Sequence, residues 1–264
     1  IDWHTPAHIL EKLIRYEAVH AINGWDDLRR RLAADRRCFA FFHPALPDEP
    51  LIFVEVALVR GLAAAVQPLL DPASEIGDPD RADTAIFYSI SDCQAGLQGI
   101  SFGNFLIKQV AAELQEELVK LKTFATLSPV PGFRAWLEAN TPQFVTLGRG
   151  SELAGWLEKT RGPAGRRAAA PGEEVRELLL QLCAHYLTRE RRDDGRPLDA
   201  VARFHLRNGA RLERVNWAAD DSPHGLARSA GIMVNYLYEI DEVERNHEAY
   251  VNEGKITVSR RVES

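Results

Sequence analysis

Residues 84–133 read TAIFYSISDCQAGLQGISFGNFLIKQVAAELQEELVKLKTFATLSPVPGF, and this stretch decides the fold. Ile86, Phe87, Tyr88 and Ile90 form an apolar run of strand length, and Gly96, Gly99 and Gly103 then mark a turn. Leu106, Ile107, Val110, Leu114 and Leu118 recur at helical spacing and share one face. A second short apolar run, Phe124-Ala125-Thr126-Leu127, stops at Ser128-Pro129. Strand, glycine-bearing turn, helix and strand make a crossover unit. A helix that opens beside glycines aims unpaired N–H groups and the positive end of its dipole outward, which suits a phosphate or pyrophosphate. Taken alone, such a turn is more often an ordinary tight connection.

Toward the N-terminus, residues 6–20 read as a helix with Leu10, Leu13, Ile14 and Ala18 on its buried face, and residues 25–32 as a second helix after Asn23-Gly24. Residues 38–42 (CFAFF) and 51–58 (LIFVEVAL, with Glu55 inside) read as strands of a hairpin with a long Pro/Asp loop. Residues 60–70 resemble a short helix, and 71–83 a polar loop. Toward the C-terminus, Trp136 and Leu137 fall in a short helix behind SPVPG. Residues 146–172, rich in glycine and with Arg161, Arg166 and Arg167, read as a mobile surface connection. A strong amphipathic helix is expected over 173–191, then an exposed RRDDGR turn. Pro197 suits the first position of another helix, stopped by Asn208-Gly209. Strands over 210–217 and 232–240 follow, with a polar loop between them and a charged surface tail from Asp241. The order α-α-β-β-α-β-α-β, a helical insertion, then α-β-β predicts a mixed α/β domain.

The chain has 264 residues, 45% of them hydrophobic and 27% charged, enough for a sizeable core. Its net charge of −6 and pI of about 5.8 argue against a general nucleic-acid or anionic-membrane partner. Cys38, Cys93 and Cys183 are odd in number and far apart, which fits free thiols in a reducing compartment. No apolar run reaches the length that spans a bilayer and no signal peptide is visible, so a soluble protein is expected. The chain begins at Ile1 without an initiator Met, so it reads as a fragment. His4 and His8 have an i, i+4 spacing but no third ligand, and Asp220, Asp221 and His224 read as a polar loop; no metal site is expected.

Gln98 to Gly103, QGISFG, resembles the acyl-CoA signature of the GNAT acetyltransferase superfamily, with Ser101 where that superfamily usually has Gly. Longer stretches resemble the malonyl-CoA decarboxylase family: RRCFAFFHPALPDEPLIFVEVAL (36–58), IFYSISDCQAGLQGISFGNFLIKQV (86–110), LSPVPGF (127–133), VARFHLRNGARLERVNW (201–217) and GIMVNYLY (231–238). The resemblance implies one GNAT-like catalytic domain over 1–264, with a mixed, largely antiparallel sheet flanked by helices and a helical insertion over about 138–196. It implies decarboxylation of malonyl-CoA without metal or organic cofactor, coenzyme A being part of the substrate. The family's catalytic serine and histidine fall on Ser128 and His205. Its CoA-binding turn falls on Gln98, Gly99, Ile100, Ser101, Phe102, Gly103 and Asn104, and the tyrosine of its terminal NY motif on Tyr236, taken as a substrate contact. Some members carry Glu where Ser101 stands, so that carboxylate's role does not transfer. The resemblance further implies a homo-oligomer (dimer or tetramer), a cytoplasmic location in a family that also has mitochondrial and peroxisomal members, and an N-terminal helical domain that this sequence lacks.

Loss of CO2 from a malonyl thioester leaves an enolate, so donors at the thioester oxygen and an acid at the enolate carbon are required. Ser128 fits as proton acceptor or positioner and His205 as proton donor, its place in a last helical turn favouring the charged form. Read from spacing alone, Ser128 is a cap before Pro129 and His205 a buried structural residue. An acyl-CoA-dependent N-acyltransferase and a non-catalytic acyl-CoA-binding module are the alternative functions.

Overall fold

A computed structural model describes residues 1–94, 96, 103–146, 150–160 and 171–263, the side chains of 103–105 and 146 aside. Two compact units are present: Ile1–Ser128 with Leu237–Val243, and Pro129–Tyr236 with Glu244–Ser264.

The first unit opens with helices α1 (Ala7–Tyr16) and α2 (Trp25–Arg31), followed by strands β1 (Arg36–His43) and β2 (Leu46–Val59). The hairpin is tighter than the long loop expected, for β1 and β2 pair antiparallel as far as His43↔Leu46. Register shifts at Phe41/Phe42 and Phe42/His43 let the ladder run through the proline-bearing segment, since bulges and outer strand ends are where proline is tolerated. A one-turn helix, α3 (Gln67–Leu70), and strand β3 (Thr84–Asp92) follow. Helix α4 (Gly103–Glu117) then carries the chain over to β4 (Thr123–Thr126), which pairs parallel with β3. This is the predicted crossover, and Leu106, Ile107, Val110, Leu114 and Leu118 all face the core. The other edge of β4 pairs antiparallel with Leu237 and Tyr238, so the sheet is largely antiparallel.

Helix α1 stops short of residue 20 because Glu17 turns inward. Its carboxylate accepts hydrogen bonds from the N–H groups of Val19 and His20 and from the hydroxyls of Ser89 and Ser91 on β3. Beside it lies a buried ion pair: Arg31 Nη1 is 2.6 Å from Glu55 Oε2, and each side chain is 1% exposed. Glu55, an odd residue in an apolar strand, is explained by that partner. Arg31 also binds Asp27 and the His20 carbonyl, so one guanidinium ties α2, the α1–α2 connection and β2 together.

The second unit follows the two-residue strand β5 (Ser128–Pro129), which the units share. Its helices are α5 (Phe133–Thr146), α6 (Ser151–Lys159), α7 (Glu173–Thr188) and α8 (Ala200–Arg207). Strand β6 (Arg211–Asn216), helix α9 (Pro223–Ser229), strand β7 (Met233–Tyr238) and helices α10 (Val243–Glu253) and α11 (Arg260–Glu263) complete the chain, with β6 pairing β7. Three expectations are corrected. Part of the supposed mobile connection is helix α6, which buries Leu153, Trp156 and Leu157 at i, i+3 and i+4 spacing; residues 147–149 and 161–170 lie outside the described residues. The polar 218–231 loop contains α9, capped by Ser222 and opened by Pro223. The charged tail holds α10, which buries Val243, Asn246 and Tyr250. All three cysteines are free, as expected, and Cys183 is buried. Among the described residues no helix is long and apolar enough to cross a membrane, and no group of three or more His, Cys, Asp or Glu could hold a metal ion.

Candidate functional site

In the first unit, three features meet at the carboxyl end of the parallel strand pair. The β3–β4 ladder runs from Thr84↔Thr123 to Phe87↔Thr126. Beyond it Leu127 N–H still bonds the Phe87 carbonyl, while β3 continues to Asp92, paired with β2. The carboxyl ends of parallel strands are the usual ligand position in such sheets. Helix α4 opens at the same end of the crossover with Gly103 and Asn104, where its first N–H groups have no partner inside the helix. Gln98, Gly99, Ile100, Ser101 and Phe102 lie outside the described residues. Ser128 stands just past β4, 6% exposed, its Oγ donating to Thr126 Oγ1 at 2.9 Å.

In the second unit, His205 lies in the last turn of α8, which Asn208 and the left-handed Gly209 end. The imidazole is 4% exposed and stacks on the ring of Tyr236, with centroids 4.6 Å apart and planes at 25°. Phe204 meets its edge at 4.9 Å. The expectation that the helix end favours a charged imidazole is reversed: burial pushes His205 down to about 3, outweighing the dipole, so the ring is neutral at physiological pH. Tyr236 is fully buried and fixes the plane of that ring. Of the residues singled out from the sequence, His205 and Tyr236 are thus brought together within one unit, and Ser128 belongs to the other.

Two residues the sequence reading passed over support these groups. Thr126 is one. Asp199 is the other, and it corrects the assignment of Pro197 to the first helical position: Pro197 bridges Arg191, and Asp199 caps α8, its Oδ1 accepting Ala202 N–H at 2.8 Å. Burial raises its carboxyl against the backbone N–H groups of Ala202, Val201 and Gly132 that face it. The same carboxylate therefore holds both the helix of His205 and the Pro-Gly-Phe turn. Gly132 is required there because a Cβ would collide with the Tyr186 hydroxyl. Asp199→Ala should cost about 1–2 kcal/mol in urea unfolding, and Asp199→Ser should recover most of it, since serine caps as well. An alanine variant as stable as the unaltered protein would remove the cap from the account.

The sequence profile of the malonyl-CoA decarboxylase C-terminal domain matches residues 1–264. A mitochondrial malonyl-CoA decarboxylase of Anser anser anser is 38% identical over 99% of this chain and 56% of its own length. The crystal structure of malonyl-CoA decarboxylase from Agrobacterium vitis is 52% identical with a TM-score of 0.92, covering all of this chain and 65% of that one. The GphF GNAT-like decarboxylase, solved with isobutyryl-CoA, is 16% identical with a TM-score of 0.51, a likeness of fold. The chain thus spans between half and two thirds of the length of these first two relatives. By its matched profile and its relatives, it belongs to the malonyl-CoA decarboxylase family, as that family's C-terminal domain.

Proposed function

We propose that this chain decarboxylates malonyl-CoA to acetyl-CoA and CO2, with Ser128 and His205 as the reactive hydroxyl and imidazole. The observation that carries the reading is the carboxyl end of β3 and β4: a parting ladder, a helix N-terminus and a buried serine in one unit. There the N–H groups of α4 and the turn before it, residues 98–104, take the diphosphate. The strand ends beyond that ladder take the extended pantetheine arm, whose amides match strand-edge hydrogen bonding. The thioester carbonyl is the electron sink, so no metal or organic cofactor is needed and chelators should leave the rate unchanged.

As the C–C bond to the carboxylate breaks, its electron pair becomes the enolate and CO2 leaves. The hydroxyl of Ser128 donates to the oxygen on which charge develops. Burial keeps the His205 ring neutral at physiological pH. An anionic malonyl group brought against it raises its proton affinity, so it takes a proton on binding and gives it to the enolate carbon. Tyr236, taken as a substrate contact, stacks on the imidazole and holds it in plane.

Mass spectrometry of malonyl-CoA incubated without acceptor tests the reading. Acetyl-CoA should form, and Ser128→Ala should slow it at least tenfold. An acyltransferase would consume the thioester only with an acceptor amine, and a binding module would hold it unchanged; either result ends the proposal. A homo-oligomer and a cytoplasmic location, which the free thiols fit, belong to the same reading.

A further inference from the structure

The exposed RRDDGR segment, which the decarboxylase reading does not use, is a tight hairpin in the second unit. Arg192 N–H donates to the Arg196 carbonyl at 2.9 Å and Leu198 N–H to the Glu190 carbonyl at 3.0 Å, with Gly195 turning the corner in the left-handed region. Helix α8 is tied to it, for Arg203 Nη1 donates to the carbonyls of Pro197 at 2.8 Å and Leu198 at 2.7 Å. Arg191 Nη2 donates to the Thr188 carbonyl at 2.7 Å. Helix α10 runs antiparallel to α8, since Asn246 bonds the Gly209 carbonyl and His247 that of Arg207. One turn further along, Tyr250 brings its hydroxyl under the charges of Arg196, Arg203 and Arg191.

Two observations there call for an anion. Tyr250 is 8% exposed, and its hydroxyl, closed off from solvent, has no hydrogen-bond partner. Burial raises it above the ordinary phenol value, so the proton stays on and the group is a donor with nothing to bond. Among the described residues, no carboxylate forms an ion pair with Arg191, Arg196 or Arg203. Asp194 faces the same hydroxyl, but its carboxylate accepts the Arg196 N–H at 3.0 Å, and Glu190 is turned to His185. Burial and the nearby Arg189 both lower the Arg191 guanidinium, as for a cation short of counter-charge. Neutral backbone carbonyls fix two of the guanidiniums and leave their other N–H groups available. A carboxylate offers two oxygens, whereas a phosphate dianion offers three or four and a second charge, which matches three guanidiniums and a hydroxyl. We propose that the hairpin, Arg203 and Tyr250 form a phosphate-binding site in the second unit, which takes inorganic phosphate or a phosphomonoester. The exposed Arg196 side chain moves aside to admit the anion to the Tyr250 hydroxyl.

The test is thermal melting with inorganic phosphate titrated against chloride at equal ionic strength. The unaltered protein should be stabilised saturably, with a Kd on the order of 0.1–1 mM for a five-atom ligand. Tyr250→Phe, which removes only the hydroxyl, should melt no lower than the unaltered protein without phosphate and should bind phosphate about tenfold more weakly. Arg196→Gln, an exposed change that spares the fold, should weaken binding by a similar factor, while Arg60→Gln, at an exposed arginine of the first unit, should leave it unchanged. Binding of CoA against 3′-dephospho-CoA separates the sources. A preference for CoA that Tyr250→Phe abolishes makes the 3′-phosphate the occupant; a preference that is absent, or survives the change, leaves a separate phosphate compound. Two results would overturn the inference: phosphate that stabilises no more than chloride does, or a phosphate response equal in the unaltered, Tyr250→Phe and Arg196→Gln proteins.

Discussion

His205→Ala should lower malonyl-CoA turnover by about two to four orders of magnitude, the span of a positioned acid or base, and should leave CoA affinity near that of the unaltered protein. The two readouts separate because the imidazole sits on α8 against the Tyr236 ring in the second unit, while the nucleotide handle is assigned to the opening of α4 in the first. Steady-state kinetics with a CoA-binding titration measure both, and unchanged turnover would take His205 out of the mechanism. The same ring leaves a mark on stability. Burial depresses it from 6.5 to about 3, so the folded protein resists a proton that the unfolded chain accepts. Above pH 6.5 both states hold the ring neutral and nothing is lost. As the pH falls from 6.5 toward 3, the unfolded chain gains the proton first and stability drains away. Melting of the unaltered protein should therefore decline more steeply over that window than melting of His205→Asn; parallel curves would show that the buried ring is not the source.

The second large effect lies in the sheet. Arg31→Ala should destabilise the protein by about 3–5 kcal/mol, the loss typical when one member of a buried ion pair is removed. Burial pushes Glu55 up to about 8 even with its partner 2.6 Å away, so without Arg31 the carboxyl must fold protonated or pay for an unpaired charge. Burial alone would lower the Arg31 guanidinium, but Glu55, Tyr88 and Asp27 hold it firmly charged. The lost side chain would also abandon the His20 carbonyl and the cation–π contact with Tyr88. Replacing the pair together, Arg31→Met with Glu55→Leu, should recover much of the loss, because an apolar pair needs no desolvation. Urea unfolding measures both; a single variant within about 1 kcal/mol of the unaltered protein contradicts the account.

The crossover was legible because its two strands and its helix repeat apolar residues at clean periods, and the glycines before Gly103 mark the change of period. Glu17 was not, because the hydrogen bonds that end α1 come from Ser89 and Ser91, distant in sequence. Helices α6, α9 and α10 were hidden by composition: glycine, polar or charged surroundings masked the few positions, such as Leu153, Trp156 and Tyr250, that are buried. At the site, resemblance supplied Ser128, His205 and Tyr236, while geometry supplied their supports. Thr126 could have been found from its i−2 place on one strand face with Ser128, and Asp199 from the cap pattern ahead of Ala200. The neutrality of His205 had no local signal, since it depends on packing from Tyr236.

The antiparallel partner of β4 is Leu237-Tyr238, encoded far downstream of Phe124 and Ala125. On the ribosome the first 128 residues therefore emerge with that strand edge bare, and it stays bare for on the order of ten seconds at ordinary elongation rates. Bare edges recruit other strands. Nascent chains of this protein should lean on a holding chaperone until Tyr238 clears the exit tunnel, and codon changes that slow translation between Pro129 and Tyr236 should lower the soluble yield without altering one residue of the product.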